Sequence, residues 1–211
     1  HKIDKTQTFV EKMVKKKSKK IKIPQKKEFV QIIKKLGGEK FIVEDIHKKT
    51  TKKNPLPPFI TSKLQQEAIR KLRFTARKTM TVAQQLYEGI ELEAGEPVGL
   101  ITYMRTDSTR IAQEAAEEAL AYIRRQLGED FALAKPRFFK NNKKAQDAHE
   151  AIRPTLPLHQ PDATRHHLND AQYKIYTLIW ERFLASQMSN AEIEETVFEV
   201  ANGDYLFGTR G

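Results

Sequence analysis

The spacing of apolar residues changes several times along the chain, and each change predicts a different kind of element. From Phe9 to Ile23 apolar positions alternate loosely with Lys, which predicts two short strands, Thr8–Val14 and Lys20–Ile23. After Pro24 the spacing becomes helical. Phe29, Val30, Ile32, Ile33 and Leu36 share a face, and Gly37-Gly38 supplies the stop. Lys40–His47 returns to a strand pattern. Asn54-Pro55-Leu56-Pro57-Pro58 then puts three prolines into four positions, which excludes regular structure and marks a domain boundary.

Beyond the prolines the pattern is mainly helical. Thr61 or Ser62 is a cap candidate for a helix reaching Leu72, and Ala76 or Thr79 opens another that ends before Gly89. Val98–Tyr103 reads as a short strand after the acidic stretch Glu91–Glu96. Asp107-Ser108-Thr109 then offers caps for a long helix with Ile111, Ala115, Ala116, Leu120, Ile123 and Leu127 on one face and Gly128 at its end. A short helix is expected around Ala145–Ile152, before Pro154, and Asn169 or Asp170 caps another that carries Tyr176, Ile179, Trp180 and Phe183. From Ala191 the period falls to two, with the turn Asn202-Gly203-Asp204 between strands. The expected fold is α+β: a mainly helical domain, residues 58–190, inserted into a β-rich segment made from both ends, residues 1–57 and 191–211. No internal repeat is found.

Composition narrows the function classes. The chain of 211 residues has 39% hydrophobic residues, enough for a core, and no cysteine, which removes disulfides, thiolate metal sites and cysteine nucleophiles. No apolar run is long enough to cross a bilayer, and the first residues lack the apolar stretch of a signal peptide. No membrane role is expected, and the location expected is cytoplasmic. Both termini read as cuts, so a longer parent chain is expected, with this part monomeric.

The net charge of +11 is unevenly placed. Residues 1–54 hold 18 Lys, no Arg and six acids, a formal +12, whereas the remaining 157 residues are close to balance with 20 bases and 21 acids. The run Lys15-Lys16-Lys17 can attract a polyphosphate, but ammonium groups lack the fork that reads bases. A solvated Lys-rich surface accounts for the same run equally well.

The densest polar cluster is Thr102-Tyr103-Met104-Arg105-Thr106-Asp107-Ser108-Thr109, between an expected strand and an expected helix. In extended backbone Tyr103 and Arg105 face the same way, toward the N–H groups of the next helix, where Thr106, Asp107 and Ser108 would also meet a phosphate. A phenol beside a phosphate suggests transesterification to phosphotyrosine, with the guanidinium stabilising charge on the nonbridging oxygens. Spacing alone does not single Tyr103 out, since Tyr87, Tyr122, Tyr173 and Tyr176 lie in helical patterns as packing residues. The second cluster is Gln146–Thr155. A zincin helix needs a second His four positions after His149, and Arg153 stands there. His149 and Arg153 would instead share a helix face and donate to a phosphate, or form a solvated helix end. His166-His167 reads as surface. No Gly-rich phosphate loop and no Asp-x-Asp pair occurs, so nothing obvious holds Mg²⁺.

Three stretches in order, Pro58-Phe59-Ile60-Thr61-Ser62-Lys63-Leu64-Gln65-Gln66, Gly99-Leu100-Ile101-Thr102-Tyr103-Met104-Arg105-Thr106-Asp107-Ser108-Thr109 and Ala148-His149-Glu150-Ala151-Ile152-Arg153-Pro154-Thr155, closely resemble bacterial DNA topoisomerases of the type IA class. The resemblance is strong from Pro57 to about Met188 and weaker in residues 1–54. It implies that Tyr103 is the nucleophile that becomes linked to the 5′ phosphate of a cleaved single strand, that Arg105 is the active-site arginine and that His149 contacts the phosphate. It further implies a winged-helix-like tyrosine domain set in an arch that opens a gate for strand passage, with single-stranded and negatively supercoiled DNA as partners and religation without ATP. The family's Toprim domain, which binds Mg²⁺, its fourth domain and its Cys-rich tail modules are not in this sequence. The chain is therefore expected to carry half of an active site, to bind no metal itself, to need the Toprim part of its own parent chain and to be unable to relax DNA alone. A noncatalytic winged-helix-like nucleic-acid-binding module is the competing reading. A tyrosine recombinase or nicking initiator fits less well, because its usual Arg and His constellation is not matched.

Overall fold

The computed structural model describes residues 12–16, 19–20, 26–38, 40–92, 95–140, 149–157 and 159–210. The chain forms two compact units, His1–Lys53 with Glu192–Gly211, and Asn54–Ala191. Helices and antiparallel strands are segregated along the chain, so the α+β class expected from the sequence is the class observed.

In the first unit, strands β1 (Lys12–Lys16), β2 (Lys19–Lys20) and β3 (Ile42–Lys53) from one end of the chain join β4 (Ala191–Asn202) and β5 (Tyr205–Arg210) from the other, in the order β2-β1-β5-β4-β3. The expected strand residues Thr8–Glu11 and Ile21–Ile23 lie outside the described ones. β4 and β5 form a hairpin closed at Asn202 and Tyr205, where Gly203 takes φ 55°, the left-handed conformation that glycine adopts without a Cβ penalty. Helix α1 (Lys26–Leu36) covers this sheet through Ile32, packed with Val200, Tyr205 and Phe207. Asn202 Nδ2 donates to the Leu36 carbonyl at 3.2 Å, satisfying one of the carbonyls left free at the helix end. β3 runs six residues past the expected end at His47. Its extension is almost wholly exposed and polar, so no apolar alternation announced it, and Lys48 and Lys52 pair with Glu194 and Glu192 of β4.

The second unit is built from α2 (Thr61–Glu67), continued by a π-helical turn at Ala68–Leu72, and from α3 (Ala76–Glu88), α4 (Gln113–Leu127) and α5 (Asp170–Gln187). Phe59, Leu64, Leu86, Ile101, Ile152, Tyr176 and Ile179 belong to one apolar cluster, and Ile111, Ala116, Tyr122, Ile123 and Phe183 to a second. α5 contributes to both, and its Trp180 packs against each, so this helix ties the two halves of the core together.

Several local expectations change. α2 is preceded by Ile60 with no side-chain cap, and Thr61 spends its hydroxyl elsewhere. α4 begins at Gln113, so Asp107-Ser108-Thr109 are not its caps. Val98–Tyr103 is extended but makes single bridges, Ile90 to Val98 and Ile101 to Pro154, instead of a strand in a sheet. The helix expected over Ala145–Ile152 is absent from its described part: His149–Ala151 is irregular and Ile152 bridges to Phe59. Residues 145–148 lie outside the described ones.

Candidate functional site

The segment Gly99–Thr109 is held from both sides by backbone bonds between nonconsecutive stretches. Leu100 N donates to the Leu86 carbonyl at 2.7 Å, at the end of α3. This approach needs glycine at 99, because a Cβ there would stand 2.6 Å from the Tyr87 carbonyl oxygen. On the other side Thr102 N donates to the Arg153 carbonyl (2.9 Å), Thr155 N donates to the Leu100 carbonyl (3.0 Å), and the Thr102 hydroxyl donates to the Ala151 carbonyl (2.7 Å). Ile152 N in turn donates to the Phe59 carbonyl at 2.8 Å. All three motif stretches thus meet through their main chains.

Thr61 then fixes the residues after Tyr103. Its N–H donates to the Thr106 carbonyl (2.9 Å), its Oγ1 accepts from Thr106 N (2.9 Å), and its hydroxyl proton is within reach of the Met104 carbonyl at 2.8 Å or the Thr106 carbonyl at 3.0 Å. Along the clamped backbone burial alternates: Met104, Thr106 and Ser108 are buried while Tyr103, Arg105 and Asp107 are exposed. Tyr103 and Arg105 therefore do share the outward face.

The Tyr103 ring sits between two others. Tyr87 lies edge-on with centroids 5.5 Å apart, and the His149 imidazole is also 5.5 Å away, tilted by 41°. Tyr103 remains 38% exposed, so an extended ligand can reach its hydroxyl. Beside it opens a groove of ≈ 530 Å³ whose walls include Thr61, Ser62, Gln65, Arg105, Asp107 and His149. Among the described ion pairs none involves Arg105 or Asp107, so the guanidinium on this groove is not committed to a carboxylate of the described residues. A groove lined by one guanidinium and one imidazole can bind a phosphodiester, and the phenol beside that imidazole is a candidate to attack it.

Other sequence candidates are placed differently. Thr106 and Ser108 are interior: the Thr106 hydroxyl accepts from Ser108 N at 3.0 Å and the Ser108 hydroxyl accepts from Arg110 N at 3.1 Å, so these side chains shape the turn in place of capping a helix over a phosphate. Arg153 does not share a helix face with His149. Its guanidinium is 12% exposed, donates to Glu150 Oε2 at 2.8 and 2.9 Å and to the Pro154 carbonyl at 2.9 Å, and so braces its own segment. Lys15 and Lys16 belong to β1, while Lys17 and Gln146–Ala148 lie outside the described residues. Tyr122 and Tyr176 are buried. Burial pushes the Tyr176 phenol well above its ordinary range, and its hydroxyl donates to the His159 carbonyl at 2.6 Å. Tyr173 donates to Asp162 at 2.6 Å. Sequence reasoning missed Thr61 as the clamp and Tyr87 as the ring that backs the candidate nucleophile. The signals were the place of Thr61 inside the first motif and the place of Tyr87 just before Gly89.

Among the described residues no three His, Asp or Glu side chains cluster as metal ligands, and no helix is long and apolar enough to cross a membrane.

Comparison with known proteins agrees with the motifs. Residues 2–211 match the DNA topoisomerase family. The fold is similar to that of full-length topoisomerase I from Thermotoga maritima, with 40% sequence identity and a TM-score of 0.72 over 92% of this chain. The match covers 30% of that protein, so this chain spans less than a third of its relative's length. Three ordered motifs, a match along nearly the whole chain and a shared fold place this chain in the bacterial type IA DNA topoisomerase I family.

Proposed function

We propose that this chain supplies the tyrosine half of the strand-cleaving site of a type IA topoisomerase. The observation that carries the reading is the convergence of Arg105 and His149 from two separate stretches on one exposed groove, with the Tyr103 ring beside His149. Tyr103 Oη attacks a phosphorus of single-stranded DNA, the P–O3′ bond breaks, the phenolic proton is given up and the departing 3′ oxygen takes one. One phosphodiester replaces another, so religation is the reverse step and needs no ATP. Arg105 offers paired donors to the nonbridging oxygens, and His149 lies close enough to the phenol to contact the same phosphate.

The described lining of the groove does not fit a Mg²⁺ site, since Asp107 is its one carboxylate. We assign the ion to the Toprim domain of the parent protein, where it would neutralise developing phosphate charge. On the same reading residues 58–190 are the tyrosine domain, with a winged-helix-like character, and the strands contributed by 1–57 and 191–211 belong to the arch of the gate. Single-stranded and negatively supercoiled DNA are the substrates, the isolated chain is a monomer, and the parent protein works on the nucleoid in the cytoplasm.

The deciding experiment mixes the chain with labelled single-stranded DNA, Mg²⁺ and a Toprim-containing partner piece, then looks for an adduct that survives SDS. Wild type is expected to form it, and Tyr103→Phe to lose it completely. The chain alone should not relax supercoiled DNA. An adduct that persists in Tyr103→Phe would remove the assignment, and relaxation by the chain alone would remove the half-site. No adduct with any piece, together with DNA binding indifferent to Tyr103→Phe, would favour a module that only binds nucleic acid.

A further inference from the structure

Next to the groove in front of Tyr103 lies a second cavity, of ≈ 410 Å³. Leu56, Pro57 and Pro58 give it an apolar wall, with Leu56 60% exposed. Facing that wall are three cations, Lys63, Lys140 and Arg182. Ile60 and Asp107 line both cavities, so the two form one continuous track across the surface.

The charge balance of this second cavity favours an anion. Its Glu67 is engaged by Arg70 at 2.8 Å, with Lys71 at 3.7 Å and Arg182 at 3.8 Å, and the Arg70 hydrogen bond holds its carboxyl below the ordinary value. Arg182 lies over the Phe59 ring at 4.4 Å, which fixes its guanidinium at the cavity floor. Lys63 donates only to the neutral Gln66, at 3.1 Å, and among the described ion pairs neither Lys63 nor Lys140 has a carboxylate. Asp107 remains the single carboxylate not engaged by cations, at the junction of the two cavities. An apolar wall faced by ammonium groups suits a flat base joined to phosphates, and a cavity of a few hundred Å³ is the size of a small-ligand site.

We propose that this cavity seats nucleotides of the DNA strand on the 3′ side of the phosphotyrosine, with a base against Leu56, Pro57 and Pro58 and phosphates facing Lys63 and Lys140. The inference rests on the reading of Tyr103 as nucleophile. Once P–O3′ is broken, only the strand that begins with the linked 5′ phosphate remains bonded to this chain. A single covalent bond leaves that strand free to swivel, and religation needs the phosphate presented in one orientation. Asp107, four residues after Tyr103, lines both cavities, so a strand leaving Tyr103 past Asp107 reaches the second cavity within a short run of nucleotides.

The test uses the parent topoisomerase carrying Lys63→Ala with Lys140→Ala, and separately Leu56→Asp, none of which touches the cleavage groove. The covalent adduct is trapped on a single strand labelled on its 3′ side of the cleavage point, then digested with a 3′→5′ exonuclease. Wild type is expected to protect about two more nucleotides next to the tyrosine than either variant, and to religate an added 3′-hydroxyl strand several-fold faster, while the amount of adduct formed is unchanged. Identical protection in wild type and both variants would overturn the second seat while leaving the tyrosine reading intact. Absence of any adduct in wild type would remove the tyrosine reading, and the proposed occupant with it. The exposed Leu56 variant guards against a folding artefact, because both variants must then shorten the protected run through different chemistry.

Discussion

Thr61 decides how the candidate nucleophile is presented. Its backbone and hydroxyl together hold Thr106 in place and reach Met104, the residue after Tyr103, so the alternation that turns Tyr103 and Arg105 outward depends on one side chain from another motif. Thr61→Val keeps the shape and removes the hydroxyl, leaving a buried N–H and a carbonyl without their partner, a cost of about 1–3 kcal/mol. In the parent enzyme this variant is expected to form adduct roughly 100-fold more slowly, in line with the cost of small misplacements in reacting groups, while single-strand affinity changes little. Thr61→Ser restores the hydroxyl and should recover most of the rate. Single-turnover cleavage measured beside equilibrium DNA binding separates the cases: equal losses in both, or no recovery with Ser, would make Thr61 a purely structural residue. Tyr87 and His149 act differently, since they touch the ring itself and limit its rotation.

Among the elements, α5 carries the greatest share of the fold of the second unit. Asn169 Oδ1 accepts from Ala171 N and Gln172 N at 3.0 and 2.9 Å, and Gln172 Oε1 accepts from Asn169 N at 3.0 Å, a complete capping box. Asn169→Ala should therefore lower stability by about 1 kcal/mol, read as a drop in the denaturation midpoint, with adduct formation in the parent enzyme unaffected at low temperature. An unchanged midpoint would mean that the buried face of α5 alone holds the helix. This element was legible in the sequence because cap residues, apolar period and burial all agree. α4 was legible in its apolar face but not in its start. The cap-type residues Asp107-Ser108-Thr109 follow a segment held by Thr61, and the Thr106 and Ser108 hydroxyls serve local backbone N–H groups. The stretch around His149 misled for a related reason. Pro154 biases Arg153 toward extended backbone, and Ile152 bonds to Phe59 rather than to a helical neighbour. The pairings that assemble the site join residues that lie from 14 (Leu86 and Leu100) to 93 (Phe59 and Ile152) positions apart, and no local period encodes them. The outward placement of Tyr103 and Arg105 was readable as a two-residue alternation, and burial follows that alternation.

For the molecule as a whole, charge is placed by segment. The Lys-rich first 54 residues carry a formal +12 while the rest is near balance. The balance hides a second concentration: Arg70, Lys71, Arg73, Arg77 and Lys78 are all exposed, where the π-helical turn ends at Arg73 with φ 59° and α3 begins. Only Arg70 and Lys71 of these have a carboxylate partner among the described ion pairs, and both share Glu67. If DNA contacts both concentrations, affinity for a single strand must fall with salt through the release of counterions, by about 0.7 in the logarithmic slope for each phosphate neutralised. Replacing Lys15, Lys16 and Lys17 with Gln should then flatten the slope by about 2, leaving a residue of salt dependence that Arg73→Gln and Arg77→Gln reduce further. Fluorescence anisotropy of a labelled single strand over a salt series reads both changes directly. A slope that does not move in the Lys variant would assign that run to a solvated surface and leave phosphate binding to the helical unit, in which case the Arg variants alone should flatten the curve.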